Sequence, residues 1–569
     1  MDSNLKFPFS KIGNRFLDYP IYTPVTLWQD FDCSSPLNVT EIKEYTENGI
    51  VYKEVYFSGR NIEGRSPRIY GVTAKKEGQE NLPFIFIIND FSLSVDKSFL
   101  NYFAKAGFCA FMVDIGGENN NKDLKYTIYP ESVSYANYKN RQKVGEVLKS
   151  VKETCWYEWT ATTRYGISYL KSLDENALIG VIGIRSGGNI AWMLAAIDDR
   201  IAASCSLFAA GWKINLSADL TADAQKWLAG VSTETYALKV KKPIMFLSAS
   251  NDAFCHMDKA YDTLNRVPAD IPLIFSFSSR LKGIMGHRNS KDILLFFNKF
   301  LKNKDINLPK IPKLTSNVSD GKLILKLAAD TSEEIEDVHI YYAEGESNPE
   351  IRNWKNLKIE KTFEGVFQGE CDFFSAKAFL YSFSKVSYKN GFTVSSNMLS
   401  LNLESLNLSA VNKRKSQIIY NSQMGKDTFT CYSFNEDAVN ASMFLETPNV
   451  RVVLGPMDIY GITASYKALA SYKISDPFYR GDKEKIFKFD VYSKEAQELK
   501  VCFIENIQGV EEIYSATVSL VGGPIWQPVE IRTIDLKTTG GITLKDWQKV
   551  SMFAFESSVS GVFNNILWL

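Results

Sequence analysis

The sequence predicts an α/β domain on a mostly parallel sheet, followed by two all-β domains. Three observations carry this. Between residues 81 and 305, short apolar runs alternate with helix-period segments, the pattern of right-handed βαβ units. The run Phe84-Ile85-Phe86-Ile87-Ile88 is apolar throughout, as a central strand covered on both faces requires. Beyond a linker at 302–312, which carries Pro309 and Pro312, the helical period fades and two-residue alternation takes over.

Residues 1–80 read as an N-terminal β extension, with strand alternation at Ile50–Phe57 and Arg68–Val72. In the α/β domain, 81–305, strands are expected at 84–88, 108–113, 178–182, 203–207, 244–248 and 273–277. Helices are expected around 99–106, 160–173, 188–197 and 291–301, with an aromatic-rich insertion from Tyr126 to Trp159. Residues 306–410 have the size and short strands of an immunoglobulin-like sandwich, for example Val338–Tyr342. Residues 411–569 repeat the all-β character over a length that suits a jelly roll.

Composition excludes several classes. The 569 residues hold 65 Lys plus Arg against 65 Asp plus Glu, so the basic excess of a nucleic-acid or anionic-membrane partner is missing. No apolar run approaches the roughly 18 residues of a membrane span, and the start reads as no secretory leader. Eight scattered cysteines without a CxxC pair suggest a reduced, cytoplasmic protein. Cys255-His256 lacks a partner pair at metal spacing, and Asp114-Ile115-Gly116-Gly117 lacks dinucleotide-binding spacing. Neither a metal nor a cofactor is expected.

The chemistry gathers at Ile179-Gly180-Val181-Ile182-Gly183-Ile184-Arg185-Ser186-Gly187-Gly188, which reads as strand, sharp turn and helix start. A G-x-S-x-G in that setting is a nucleophile elbow, lifting a serine hydroxyl above the sheet. Here the glycines at 183 and 187 put Arg185 at the centre. Asp252 follows the strand at 244–248, and His287 precedes the last helix of the domain. That is the nucleophile–acid–histidine order of such a triad. Ser186 is the alternative nucleophile, although its neighbours at −2 and +2 are Ile184 and Gly188, where the tight turn wants small residues. Trp156 and Trp159 either line a ligand cleft or belong to the core.

Residues 178–212 resemble the acetyl-xylan-esterase and dienelactone-hydrolase branch of the α/β-hydrolases. That branch carries strings like I-G-V-T-G-I-S-W-G-G followed by D-x-R; here Asp198-Asp199-Arg200-Ile201 follows the elbow. The resemblance spans about 45–305 and implies an α/β-hydrolase fold with Asp252 and His287 as acid and base. It departs at two points. The family serine is Arg185, and the family's His-Gly-rich oxyanion turn reads Asn89-Asp90-Phe91-Ser92, making Asn89 and Asp90 candidate substrate contacts. The end Phe563-Asn564-Asn565-Ile566-Leu567-Trp568-Leu569, with Gly461–Tyr472 and Phe487–Tyr492, resembles galactose-binding-like, carbohydrate-binding jelly rolls.

Arginine stays protonated and has no lone pair with which to attack a carbonyl. The expectation is therefore a divergent carbohydrate-esterase-like protein without normal serine-esterase activity, binding a carbohydrate or acyl-ester small molecule. Arg185 at a helix start either pairs with Asp252 or holds an anion. Two alternatives stand beside this: an active acetyl-ester hydrolase using Ser186, His287 and Asp252, and a structural or assembly protein.

Overall fold

The computed structural model describes residues 20–118, 124–140, 144–145, 147–211, 222–279, 287–409, 414–432, 450–464, 468–507, 510–557 and 561–569. Nine strands form one sheet: β1 (Thr40–Glu47), β2 (Ile50–Ser58), β3 (Arg68–Lys76), β4 (Phe84–Ile88), β5 (Cys109–Val113), β6 (Ile179–Ile184), β7 (Ala203–Leu207), β8 (Ile244–Ala249) and β9 (Leu273–Ser278). Their order is β1-β2-β3-β5-β4-β6-β7-β8-β9. The first three pair antiparallel, so the N-terminal extension continues the same sheet. At the centre β5, β4, β6 and β7 run parallel, and every residue of these four strands is buried.

Local chemistry sets the boundaries. Asn48 and Gly49 both take positive φ (51° and 74°) between β1 and β2, the two-residue turn that matches strand twist. Besides a short α1 (Pro24–Trp28), the helices are α2 (Lys97–Lys105), α3 (Cys155–Leu173), α4 (Ser186–Ile197), α5 (Ala222–Gly230), α6 (Thr233–Ala237), α7 (Met257–Leu264) and α8 (His287–Lys302). Asp96 caps α2 by accepting from Ser98 N–H at 2.8 Å, and Thr154 caps α3 by accepting from Tyr157 N–H at 3.3 Å.

The later strands form four further sheets, whose recorded pairs are all antiparallel. Two of them, of four and five strands, span Lys313–Asn402. The other two, of six and five strands, span Ile418–Trp568 and enclose an aromatic core of Phe487, Phe489, Phe503, Trp547, Phe553, Phe555 and Trp568. The chain thus carries one large α/β sheet followed by four antiparallel sheets.

By compactness the chain divides into two units. The first holds 1–246, 259–273 and 296–305; the second holds 247–258, 274–295 and 306–569. No helix of the described residues is long and apolar enough to cross a membrane.

Candidate functional site

The corner between β6 and α4 is built by its glycines. A β-carbon on Gly183 would lie 2.0 Å from the Gly187 carbonyl oxygen, and one on Gly187 would lie 2.0 Å from that of Ile88. No side chain fits at either position, so strand, turn and helix close to backbone contact. Arg185 stands at the corner with φ 53° and ψ −112°, a region costly to any residue with a β-carbon. Its N–H donates to Leu207 O at 2.9 Å and its carbonyl accepts from Asn189 N–H at 3.0 Å, tying the turn to β7 and α4. Its side chain is half-buried.

Ser186 is the first residue of α4 and is buried, 7% exposed. Its hydroxyl donates to Asp90 Oδ2 at 3.1 Å and accepts from Phe91 N–H at 2.9 Å. Its own N–H donates to Asp90 Oδ2 at 3.3 Å. Asp90 Oδ1 in turn accepts the Ser92 N–H (3.0 Å) and hydroxyl (2.6 Å). Asn89 turns its Oδ1 to the Asp90 N–H at 2.9 Å. The Asn89 side-chain amide donates to Ser94 O at 3.4 Å, so the polar side chains of this turn bond within their own loop and to the start of α4.

The aromatic segment packs inward. Trp159 is fully buried, stacks on Phe91 with centroids 4.8 Å apart and donates its indole N–H to Ala136 O at 2.9 Å. Trp156 is buried as well and donates to Val144 O at 2.7 Å. Both belong to the first two turns of α3 rather than to a separate insertion. Neither indole face is presented to solvent, so both are placed as core.

Asp252 follows β8, as its spacing implies, and is 2% exposed. Its Oδ1 accepts the N–H groups of Phe254 (2.8 Å) and Cys255 (2.5 Å). Its stretch belongs to the second unit, whereas Arg185 and Ser186 belong to the first. His287 begins α8, and its side chain lies outside the described residues.

Two buried carboxylates lie outside the residues expected to act in the site. Asp114, just past β5, accepts the N–H groups of Gly117 (2.9 Å) and Thr127 (2.8 Å); burial pushes its carboxyl up to about 7. Glu158 pairs with Arg60 through both carboxylate oxygens. A buried acid carries no sequence signature beyond its apolar flanks, and helix or strand period alone does not separate it from a surface acid. Among the described residues no group of three or more His, Cys, Asp or Glu is arranged to hold a metal.

Comparison with known proteins bears on residues 69–271, which match the Dienelactone hydrolase family. The matched stretch includes the elbow and Asp252 and stops short of His287. The chain is similar to an acetyl xylan esterase from a Paenibacillus species, at 14% identity over 50% of this chain and 96% of that one, with a TM-score of 0.41. It is also similar to acetyl xylan esterase 1 from a Thermoanaerobacterium species (15% identity, 46% of this chain, 88% of that one, TM-score 0.34). A third likeness is to the acylaminoacyl peptidase of Pyrococcus horikoshii, at 15% identity over 48% and 57% of the two chains, with a TM-score of 0.33. No curated protein matches.

Proposed function

We propose that this chain, whose residues 69–271 form a dienelactone hydrolase family domain of the α/β-hydrolase fold, no longer turns over esters there and instead binds an acyl or glycan ligand. The observation that carries the reading is Arg185 at the strained strand-to-helix corner. In an active enzyme of this design the corner residue attacks the carbonyl carbon and forms the acyl-enzyme. A guanidinium has donors only and keeps its proton, so it can neither attack nor be activated by a histidine. Without a nucleophile such a site retains binding and little else.

The alternative nucleophile, Ser186, is supported poorly by its surroundings. Its hydroxyl gives its proton to Asp90 and receives the Phe91 N–H, leaving it placed as the anchor of a loop. The test is hydrolysis of p-nitrophenyl acetate by the full chain. The rate is expected to sit at the buffer level and to be the same in Ser186→Ala. Turnover well above that level in wild type, lost in Ser186→Ala, would overturn the proposal. For the ligand, glucuronate and acetate are titrated calorimetrically against wild type and Arg185→Ala. Equal weak heats in both would end any role for the guanidinium as an anion clamp.

A further inference from the structure

We propose that Asp90 is a built-in plug of the oxyanion site, a barrier to acyl transfer that is separate from Arg185; the inference rests on reading the β6–α4 corner as a hydrolase elbow. In a working elbow, the N–H of the residue after the nucleophile and an N–H from the loop after the neighbouring strand point at the place where negative charge develops. Here those donors are Ser186 N–H and the N–H groups of Asp90 and Phe91, in the loop after β4. Each is given to an oxygen of the chain itself. Ser186 N–H goes to Asp90 Oδ2 (3.3 Å), Asp90 N–H to Asn89 Oδ1 (2.9 Å) and Phe91 N–H to Ser186 Oγ (2.9 Å).

The occupant at the head of α4 is a carboxylate, and four hydrogen bonds hold it: two from Ser186 to Oδ2 and two from Ser92 to Oδ1. A negative charge at a helix start is favourably placed, so the plug is stabilised by the same dipole that would serve an oxyanion. It also repels a second negative charge in the same place. Loss of one oxyanion donor costs on the order of 100- to 1,000-fold in rate. Replacing the arginine with serine would therefore set a hydroxyl beside a site whose donors are already taken. Restoring the nucleophile alone is not enough.

The experiment compares Arg185→Ser with Arg185→Ser/Asp90→Ala in the full chain, using a fluorophosphonate probe and intact-mass detection. In the labelling step the new serine Oγ bonds to phosphorus, the P–F bond breaks, fluoride leaves and the hydroxyl proton passes to solvent or a protein base. The double variant is expected to label roughly 100-fold faster than the single one. Equal rates would overturn the plug. So would an absence of labelling in both variants when circular dichroism shows them folded, because Asp90 would then not be the remaining barrier. If Asp90→Ala fails to fold, Asp90→Asn in the same background removes the charge and keeps the side-chain volume. It is expected to gain at least about tenfold over Arg185→Ser, and no gain would overturn the proposal. Labelling of wild type, mapped to Ser186, would instead overturn the proposed loss of activity and is read separately.

Discussion

At the scale of single residues, the cost of the corner falls on Arg185. Its φ of 53° with ψ −112° costs about 1–3 kcal/mol for a residue with a β-carbon. Glycine enters that region freely but gives up about 0.5–1 kcal/mol of extra chain entropy on folding. Arg185→Gly is therefore expected to stabilise the protein by about 1 kcal/mol, seen as a higher urea midpoint at unchanged slope. A lower midpoint would mean that contacts of the guanidinium outweigh the strain. Asp114 adds a pH dependence of definite sign. Burial raises its carboxyl from 3.8 to about 7, so the folded chain binds more protons than the unfolded chain across that window. The stability it contributes is full below about pH 4 and is lost as the pH rises to about 7. The fall in melting temperature between about pH 5 and pH 7.5 should shrink in Asp114→Asn, and an unchanged fall would show that Asp114 is ionised throughout.

At the scale of elements, much was legible because the signals are local. Ala203–Leu207 and Val450–Leu454 fall where the alternation and apolar runs put them, and the glycines at 183 and 187 set the register that places Arg185 at the turn. Helix α4 begins at Ser186, two residues earlier than expected, because Gly187 and Gly188 are there for close packing despite their low helix propensity. The short helices α5, α6 and α7 were not read at all. At five to nine residues they carry little periodicity, and tertiary contacts decide them. The aromatic segment shows the same limit from another side. Sequence counts the rings of Trp156 and Trp159 but does not say which way α3 turns them. The partners of Asp90 are harder still, since the 96 positions that separate it from Ser186 are bridged only because β4 and β6 lie side by side.

At the scale of the whole molecule, the division of the chain argues against cutting it where the composition changes. The linker near 302–312 suggests that a fragment ending at residue 305 would fold alone. Yet 247–258 and 274–295 belong to the second unit with 306–569. Within that unit, the Asn251 side-chain amide donates to the carbonyls of Glu350 (2.9 Å) and Arg352 (3.0 Å). His256 Nε2 lies 2.7 Å from Glu350 Oε1, and the fully buried Arg352 guanidinium grips Asp258 through two bonds of 2.6 and 2.8 Å. Further along, Phe277 N–H donates to Ser395 Oγ at 3.0 Å, and Asp292 Oδ1 accepts the Thr393 N–H at 3.0 Å. Truncation at 305 would strip these partners from Asn251, His256, Asp258, Phe277 and Asp292 at once. Each such loss costs about 1–3 kcal/mol, so together they are comparable to the whole stability of an ordinary domain. The fragment 1–305 is thus expected to keep far-ultraviolet circular dichroism while losing its near-ultraviolet signal and binding the dye ANS. A fragment with native near-ultraviolet bands and a cooperative melt would show that these bonds are dispensable. The turn bearing Asp252 would then need nothing beyond residue 305.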